Sequence, residues 1–503
     1  MADVLLTHSY HLQYDPKQLR KMQPYPPLGT LYAATTLRAQ EISVAVFDTM
    51  LQDPVNGFLA ALARHTPKIV AIYEDDFNFL SKMCLTRMRE LAWEMARAAR
   101  SAGAVVIAHG SDATDHSEEY LHNGIDYVLQ GEAEQTLLQL CSALLRAESI
   151  QDIDGLVTLN SANTVIRSGK QSPKNASWVE LPQVARDLID MEPYRQAWTD
   201  AHGYFSTNVV ASRGCPYQCN WCAKPISGNK FQVRPAAAVA AEINELKEKY
   251  GVQHIWFGDD VFALNHHWVQ QFAEEIEARN CALPFKIQSR ADLMSEENVT
   301  ALKRAGCAEV WMGVESGSQK ILDAMDKGLR LSAVKTARER LQSAGIRACY
   351  FLQFGYPGET WEDIQQTIAL VRSTRPNEIG VSLSYPLPGT VFYERVQAQL
   401  GTKRNWTDSD DLCVMFTAAY TSDFYRAIRD ALHAEVDTWQ DNSSSQEKHP
   451  EHLRELWQKV FDLEPLSRST EVTSLLPVQL NTEAGNIPQF VPLGRLTATT
   501  TEV

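Results

Sequence analysis

Cysteine is scarce in this chain, with nine in 503 residues. That density excludes a disulfide-built scaffold, and an odd number leaves one thiol over in any complete pairing. Positive charge is also in deficit, with 47 Lys+Arg against 62 Asp+Glu and a formal net charge of −15. General nucleic-acid binding requires a basic footprint, so no nucleic-acid partner is expected. No run of about 18 apolar residues occurs, so no transmembrane segment is expected. The start, Met1-Ala2-Asp3-Val4-Leu5-Leu6-Thr7-His8, has no basic stretch and only a short apolar run, too little for a signal peptide. A cytoplasmic, reducing compartment follows as the expectation. There, clustered cysteines bind metal or react more often than they bridge. What the chain does have is 44% hydrophobic residues, enough for real cores. Its length suits about three domains.

Residues 1–145 alternate short apolar runs with helical patterns. The runs are Val4–Thr7, Val44–Asp48, Ile69–Tyr73, Val105–Ala108 and Tyr127–Leu129. Nearly continuous apolar strands separated by helices predict a doubly wound parallel sheet, with ligands beyond its carboxyl ends. Residues 146–205 are less regular, and Ser161–Ser177 is a polar excursion. The α/β rhythm returns over 206–395, with strands expected at Thr207–Ala211, His254–Phe257, Phe285–Ser289, Glu309–Met312, Ala348–Phe354 and Glu378–Leu383. Such a series predicts a parallel barrel or part of one, with its chemistry at the strand C-termini. Residues 396–503 read as a mainly helical extension, with a helix over Ala418–Asp441, a solvated run over Asp441–Pro450 and a partly ordered tail.

The segment Ser212-Arg213-Gly214-Cys215-Pro216-Tyr217-Gln218-Cys219-Asn220-Trp221-Cys222 places three cysteines at CxxxCxxC spacing just after a strand. Thiolates are the preferred ligands of iron–sulfur clusters. Three ligands on a four-iron cluster leave one iron open to a small molecule. A three-cysteine zinc site is the alternative, but structural zinc closes with a fourth ligand and no second CxxC pair exists. The remaining cysteines, Cys84, Cys141, Cys281, Cys307, Cys349 and Cys413, stand alone, mostly in apolar contexts, and read as core.

These residues resemble the radical S-adenosylmethionine (radical SAM) superfamily, whose CxxxCxxC loop follows the first strand of a partial (β/α)6 barrel. The resemblance spans roughly residues 200–395. It implies that Cys215, Cys219 and Cys222 hold a 4Fe-4S cluster and that Trp221 lies near the adenine of S-adenosylmethionine (SAM). Gly258-Asp259-Asp260 stands where the family has a Gly-Gly-Glu-like motif for the methionine amine. Asp259 or Asp260 could serve, and the sequence leaves the choice open. Arg290 could pair with the methionine carboxylate as a fork donor, and Glu315 resembles the family residue at the ribose or amine. Phe354–Thr360 could edge the adenine with its backbone. Each has a plainer reading: helix caps for the Asp pair, a surface ion pair for Arg290, a turn for Gly355-Tyr356-Pro357-Gly358.

The first domain resembles the cobalamin-binding Rossmann-like domain that precedes many radical SAM modules. The matching pieces are Pro26-Pro27-Leu28-Gly29, the strand ending in Asp48, Gly110-Ser111-Asp112-Ala113-Thr114 and Gly131-Glu132-Ala133-Glu134. Gly29, Asp48, Gly110, Ser111, Gly131 and Glu132 are the expected cobalamin contacts. No Asp-x-His-x-x-Gly motif is present, so the resemblance implies cobalamin without a protein His on cobalt. Glu74-Asp75-Asp76 depart from the small or hydroxyl residues expected at that strand end. A degenerate domain that binds nothing is the alternative.

Together the resemblances imply an enzyme that methylates an unactivated carbon of a small-molecule, lipid or tetrapyrrole substrate. A one-electron donor such as flavodoxin or ferredoxin is implied. The rival enzymatic reading is an oxidative ring closure or rearrangement of the kind performed by the anaerobic magnesium-protoporphyrin monomethyl ester cyclase family. A rival of another class is a non-catalytic cobalamin- or redox-sensing module. Substrate contacts are sought in Tyr385–Thr390 and among Tyr420, Phe424, Tyr425 and Trp439, although those aromatics read first as core.

Overall fold

The structure is a computed structural model that describes residues 1–77, 85–169, 183–402, 405–439 and 450–469. Its first sheet comprises β1 (Val4–Thr7), β2 (Val44–Phe47), β3 (Ile69–Tyr73), β4 (Val105–His109), β5 (Tyr127–Leu129), β6 (Leu156–Leu159) and β7 (Val165–Arg167). They lie in the order β2-β1-β3-β4-β5-β6-β7. β1 to β5 are parallel. β6 and β7 add an antiparallel hairpin on the β5 side. The apolar runs explain the layering, because successive strand side chains point to opposite faces. Val70 and Ile72 meet Leu91 and Met95 of the helix Thr86–Ser101 on one face. Ile69 and Ala71 meet Leu37, Leu137 and Leu140, from the helices Leu28–Arg38 and Glu134–Arg146, on the other. The strand order reverses between β1 and β3, which opens a crevice beyond their carboxyl ends.

β8 (Ser206–Val209) begins the second sheet. Two short strands, β9 (Ser212–Arg213) and β10 (Gln232–Val233), then pair antiparallel and pinch off the cysteine loop. β11 (His254–Phe257), β12 (Phe285–Ser289), β13 (Cys307–Glu315), β14 (Arg347–Phe354) and β15 (Glu378–Leu383) complete the sheet. It runs β15-β14-β13-β12-β11-β8, all parallel, and β8 and β15 are its edges. This is a partial (β/α)6 barrel.

The structure departs from the sequence pattern in three places. The irregular stretch 146–205 supplies the β6–β7 hairpin. β13 runs beyond the expected Glu309–Met312 to Glu315, with a register shift against β14 between Gly313 and Glu315. The helix Pro450–Ser467 packs beside Ser422–Asp437, and Tyr420 Oη donates to Glu464 across the pair at 2.7 Å. Cys84, residues 170–177 of the polar excursion, 441–449 of the solvated run and the tail 470–503 lie outside the described residues.

A continuous buried core joins the two sheets. Tyr10, Leu12, Tyr25 and Met50 of the first domain cluster with Tyr194, Trp198 and the barrel. Trp198 Nε1 donates to the Pro24 carbonyl at 2.7 Å, and Asn208 Nδ2 on β8 donates to the Pro26 carbonyl at 2.9 Å. The two sets of strand ends are thereby held against each other.

Candidate functional site

Cys215, Cys219 and Cys222 are half-buried free thiols on the loop between β9 and β10. Lys224 organises the loop from within. Its Nζ donates to the carbonyls of Cys215 (3.0 Å) and Tyr217 and to Asn229 Oδ1 (2.7 Å). Gly214 has φ +81°, and a Cβ there would run into the Lys230 carbonyl, so only glycine serves. Asn220 ties the loop to the barrel by donating to Ala324 O and Asp326 Oδ2, each at 2.8 Å, while Tyr356 Oη donates to its Oδ1 at 2.7 Å. Burial pushes the Cys222 thiol up to about 12 and raises Cys215. Thiols so disposed give up their protons to a metal centre rather than to bulk water.

The acidic pair after β11 divides its work. Asp259 is fully buried and accepts from Ala211 N at 3.0 Å and from Ser212 Oγ. Burial pushes its carboxyl up to about 7 despite those bonds. It braces the strand leading into the cysteine loop. Asp260 is exposed at the barrel mouth and accepts from Gly214 N at 3.2 Å. It is the one of the two placed to meet a ligand at the cluster loop.

Arg290 is buried and heavily engaged. Nε and one Nη donate to Asp292, each at 3.0 Å, and the other Nη donates to the Lys327 carbonyl at 3.0 Å. Its guanidinium lies 3.8 Å from the centre of the Tyr217 ring on the cysteine loop. Glu315, at the end of β13, pairs with Lys327 Nζ at 2.7 Å, and both side chains are buried. Lys327 Nζ lies 5.9 Å from the centre of the Trp221 ring. Trp221 itself is half-buried, and its Nε1 is buried without a hydrogen-bond partner.

The residues of the first sheet gather at its carboxyl edge. Asp48 accepts from His8 Nε2 at 2.9 Å and from Tyr194 Oη at 2.6 Å. Burial alone would lower His8, but Asp48, Glu74 and Asp75 hold it above its usual value. Glu74 occupies the switch point. Its Oε1 accepts from Ser9 N at 2.9 Å, and its side chain fills the space beside Gly110, where a Cβ would come within 2.8 Å of it. Gly29 packs against the backbone of residues 74–76, with 3.0 Å from a built Cβ to Asp76 N. Gly131 offers its carbonyl to His109 Nε2 at 2.9 Å. Ser111 and Glu132 are buried beside these glycines. Asp76 is buried with both carboxylate oxygens unpartnered, 3.7 Å from His109 Nδ1, and burial pushes it up to about 6.

Two interdomain features complete the geometry. Arg213, two residues before Cys215, makes a bidentate ion pair with Glu134 of the first domain, at 2.5 and 3.2 Å, with both side chains buried. A crevice of about 490 Å³ lies between the domains, lined by Thr86, Arg89 and His116 on one side and Pro388, Tyr393 and Trp406 on the other.

Residues 209–371, from the end of β8 into the helix Trp361–Thr374, match the model of the radical SAM superfamily. The chain carries a radical SAM domain. A Pyrococcus horikoshii protein named as an uncharacterised methyltransferase is 28% identical over 391 residues, covering 76% of this chain and 81% of its own length. The anaerobic magnesium-protoporphyrin IX monomethyl ester cyclase of Rubrivivax gelatinosus is 22% identical over 277 residues; the match covers 54% of this chain and about half, 49%, of the cyclase. The solved structure of the radical SAM methyltransferase TsrM from Kitasatospora setae, with cobalamin and a [4Fe-4S] cluster bound, superposes with a TM-score of 0.67 at 19% identity. That superposition covers 80% of this chain and 79% of TsrM, so the fold is shared across both sheets.

The radical SAM domain thus brings Trp221, Asp260, Arg290 and Glu315 to one mouth around the cysteine loop. Asp259 faces the loop's supporting strand instead. Sequence reasoning passed over Lys327 and the pairing of Arg213, and it noted Asp76 only as one of three acids at an unexpected strand end. Lys327 sits in an Asp-Lys-Gly turn without a motif, and nothing in its spacing reveals Glu315 as its partner. Arg213 had a signal, since a basic residue directly ahead of a cysteine loop needs a counter-ion once buried.

Proposed function

We propose that this radical SAM enzyme uses cobalamin as a second cofactor and methylates an unactivated carbon. The observation that carries the reading is the layout: the cysteine loop of the barrel is clamped through Arg213 and Glu134 to a doubly wound sheet whose carboxyl edge faces the barrel mouth. TsrM shares that layout over most of the chain, and its structure holds both cofactors. When bound, the cluster and cobalamin supply the one-electron cleavage of SAM and the methyl-group transfer, respectively.

The chain's own residues bind, orient and exclude water. Cys215, Cys219 and Cys222 would ligate three irons, with Lys224 holding the loop closed over them. Asp260 and Glu315 offer carboxylates to the SAM ammonium or ribose. Trp221 offers a ring face to the adenine and an unpartnered N–H. The donor set at the first-sheet edge fits a large amide-fringed ring only in part. Glu74 and the 74–76 backbone fill the space beside Gly110 and Gly29, so those glycines serve packing. The open volume lies further out, in the crevice with Thr86, Arg89 and His116, where polar donors face apolar Pro388 and Trp406. The Tyr385–Thr390 loop contributes to that crevice. Tyr420, Phe424 and Tyr425 are buried core.

A flavodoxin or ferredoxin supplies the electron, and the compartment is the cytoplasm; no described helix is long and apolar enough to cross a membrane. The test incubates reconstituted enzyme and trideuteromethyl-labelled SAM with extract of cells lacking the gene. A new product carrying the labelled methyl group supports methylation. Production of 5′-deoxyadenosine with an unlabelled, oxidised or cyclised product supports the cyclase-type reading, which the cyclase similarity favours.

A further inference from the structure

We propose that Glu74 and Asp75 close the switch-point crevice of the first sheet to the anionic nucleotide arm of a corrinoid, so that this chain selects a corrinoid by its ring alone. The inference rests on the cobalamin reading and narrows it. Cobalamin has two chemically distinct parts. Its corrin ring is fringed by neutral amides, and its lower arm carries a nucleotide joined through a phosphodiester, a permanent anion. In a doubly wound sheet the place for such an anion is the crevice beyond the strand ends, where glycine backbone and a helix N-terminus present N–H groups.

Here the chain's own carboxylates have taken those N–H groups. Gly29, in the first turn of the helix Leu28–Arg38, donates its N–H to Asp75 Oδ1 at 2.9 Å. The same oxygen accepts from Phe77 N at 3.2 Å. Ser9 N, just beyond β1, donates to Glu74 Oε1 across the switch point at 2.9 Å. The room is taken as well. A Cβ on Gly29 would stand 3.0 to 3.1 Å from the backbone of residues 74–76, so the start of the helix lies directly on that backbone. Thr30 Oγ1 fastens it there by donating to the Tyr73 carbonyl at 2.6 Å. Gly110, at φ +137°, leaves its backbone bare, but the space beside it holds Glu74 Cβ and Cγ, 2.8 and 2.9 Å from a built Cβ. The basic side chains His8, Arg89 and Arg213 are committed to Asp48, Asp112 and Glu134. A phosphodiester entering this crevice would have to displace both carboxylates from their N–H donors, and it would meet Asp76, whose buried oxygens are themselves unpartnered. Asp75 and Glu74 therefore stand where the anion would, and the arm stays outside the sheet.

The test measures binding of aquacobalamin and of cobinamide, the same ring without the nucleotide, to the anaerobically reconstituted full chain by equilibrium dialysis. A lodged phosphodiester would favour cobalamin by about 10-fold or more for each charged hydrogen bond it made. The parental chain should instead bind the two corrinoids with affinities that differ by less than that margin. Glu74→Ala, which empties the space beside Gly110 and releases Ser9 N, should raise the preference for cobalamin. A parental preference for cobalamin at or above the margin overturns the proposal, and so does a Glu74→Ala chain that loads iron and binds both corrinoids in the parental ratio. Should Glu74→Ala fail to load iron, the parental ratio alone decides. An iron-loaded parental chain that binds neither corrinoid would instead overturn the cobalamin reading.

Discussion

Glu134→Gln should destabilise this protein far more than its position on a first-domain helix suggests. The carboxylate and Arg213 are buried to within 2% of full exclusion and joined by two charged hydrogen bonds. Arg213 also lies 5.0 Å from the centre of the Phe77 ring. Removing one member of such a pair strips the other buried charge of both charged hydrogen bonds, a loss of about 3–5 kcal/mol. Arg213→Met should cost a similar amount, and the double variant should cost clearly less than the sum, because each single change already removes the shared interaction. Glu277→Gln is the control: its pair with Arg304 is exposed on both sides and should leave stability unchanged. Urea denaturation of the cluster-free chain, followed by tryptophan fluorescence, reads all four. Because Arg213 leads directly into the cysteine loop, Glu134→Gln should also release iron to a chelator faster from the reconstituted protein. Equal midpoints for Glu134→Gln and Glu277→Gln would refute the clamp.

Gly214→Ala should abolish iron retention, since the left-handed backbone and the Lys230 carbonyl leave no place for a methyl group; iron assay after reconstitution checks it. Gly317→Ala places a Cβ 2.5 Å from Thr367 Cα and should cost about 1–3 kcal/mol or more by overpacking, read from the denaturation midpoint. Burial pushes Glu359 up to about 8, from a reference of 4.5. The folded state then holds a proton that the unfolded chain has released, so stability should fall as pH rises from about 4.5 to about 8. Glu359→Gln, which can still accept from Gly355 N, should flatten that slope; an unchanged slope would mean that Glu359 is ionised in the fold.

β1 to β5 and the six strands of the second sheet were legible because they read as largely apolar runs. The β6–β7 hairpin was not: β6 spans only four residues inside an irregular stretch, and in β7 Ile166 and Arg167 are exposed. The end of β13 was hidden by Gly313, which reads as a loop and is there to clear space for the Glu315–Lys327 pair. The helix Pro450–Ser467 follows a polar run and contains Pro465, which obscured its apolar stripe of Leu456, Trp457 and Val460. At the site, the cysteines were legible from spacing alone. The partition between Asp259 and Asp260 was not, because it depends on which carboxylate the fold turns toward Ala211 and Ser212.

Formation of 5′-deoxyadenosine from SAM by the reconstituted protein under a strong one-electron reductant bears most directly on the cysteine loop. The parental chain and Cys413→Ala, altered outside the loop, should both produce it. Cys215→Ala, Cys219→Ala and Cys222→Ala should produce none. Turnover that survives loss of any of the three loop cysteines, or a fully iron-loaded parental chain that leaves SAM intact, would contradict the assignment.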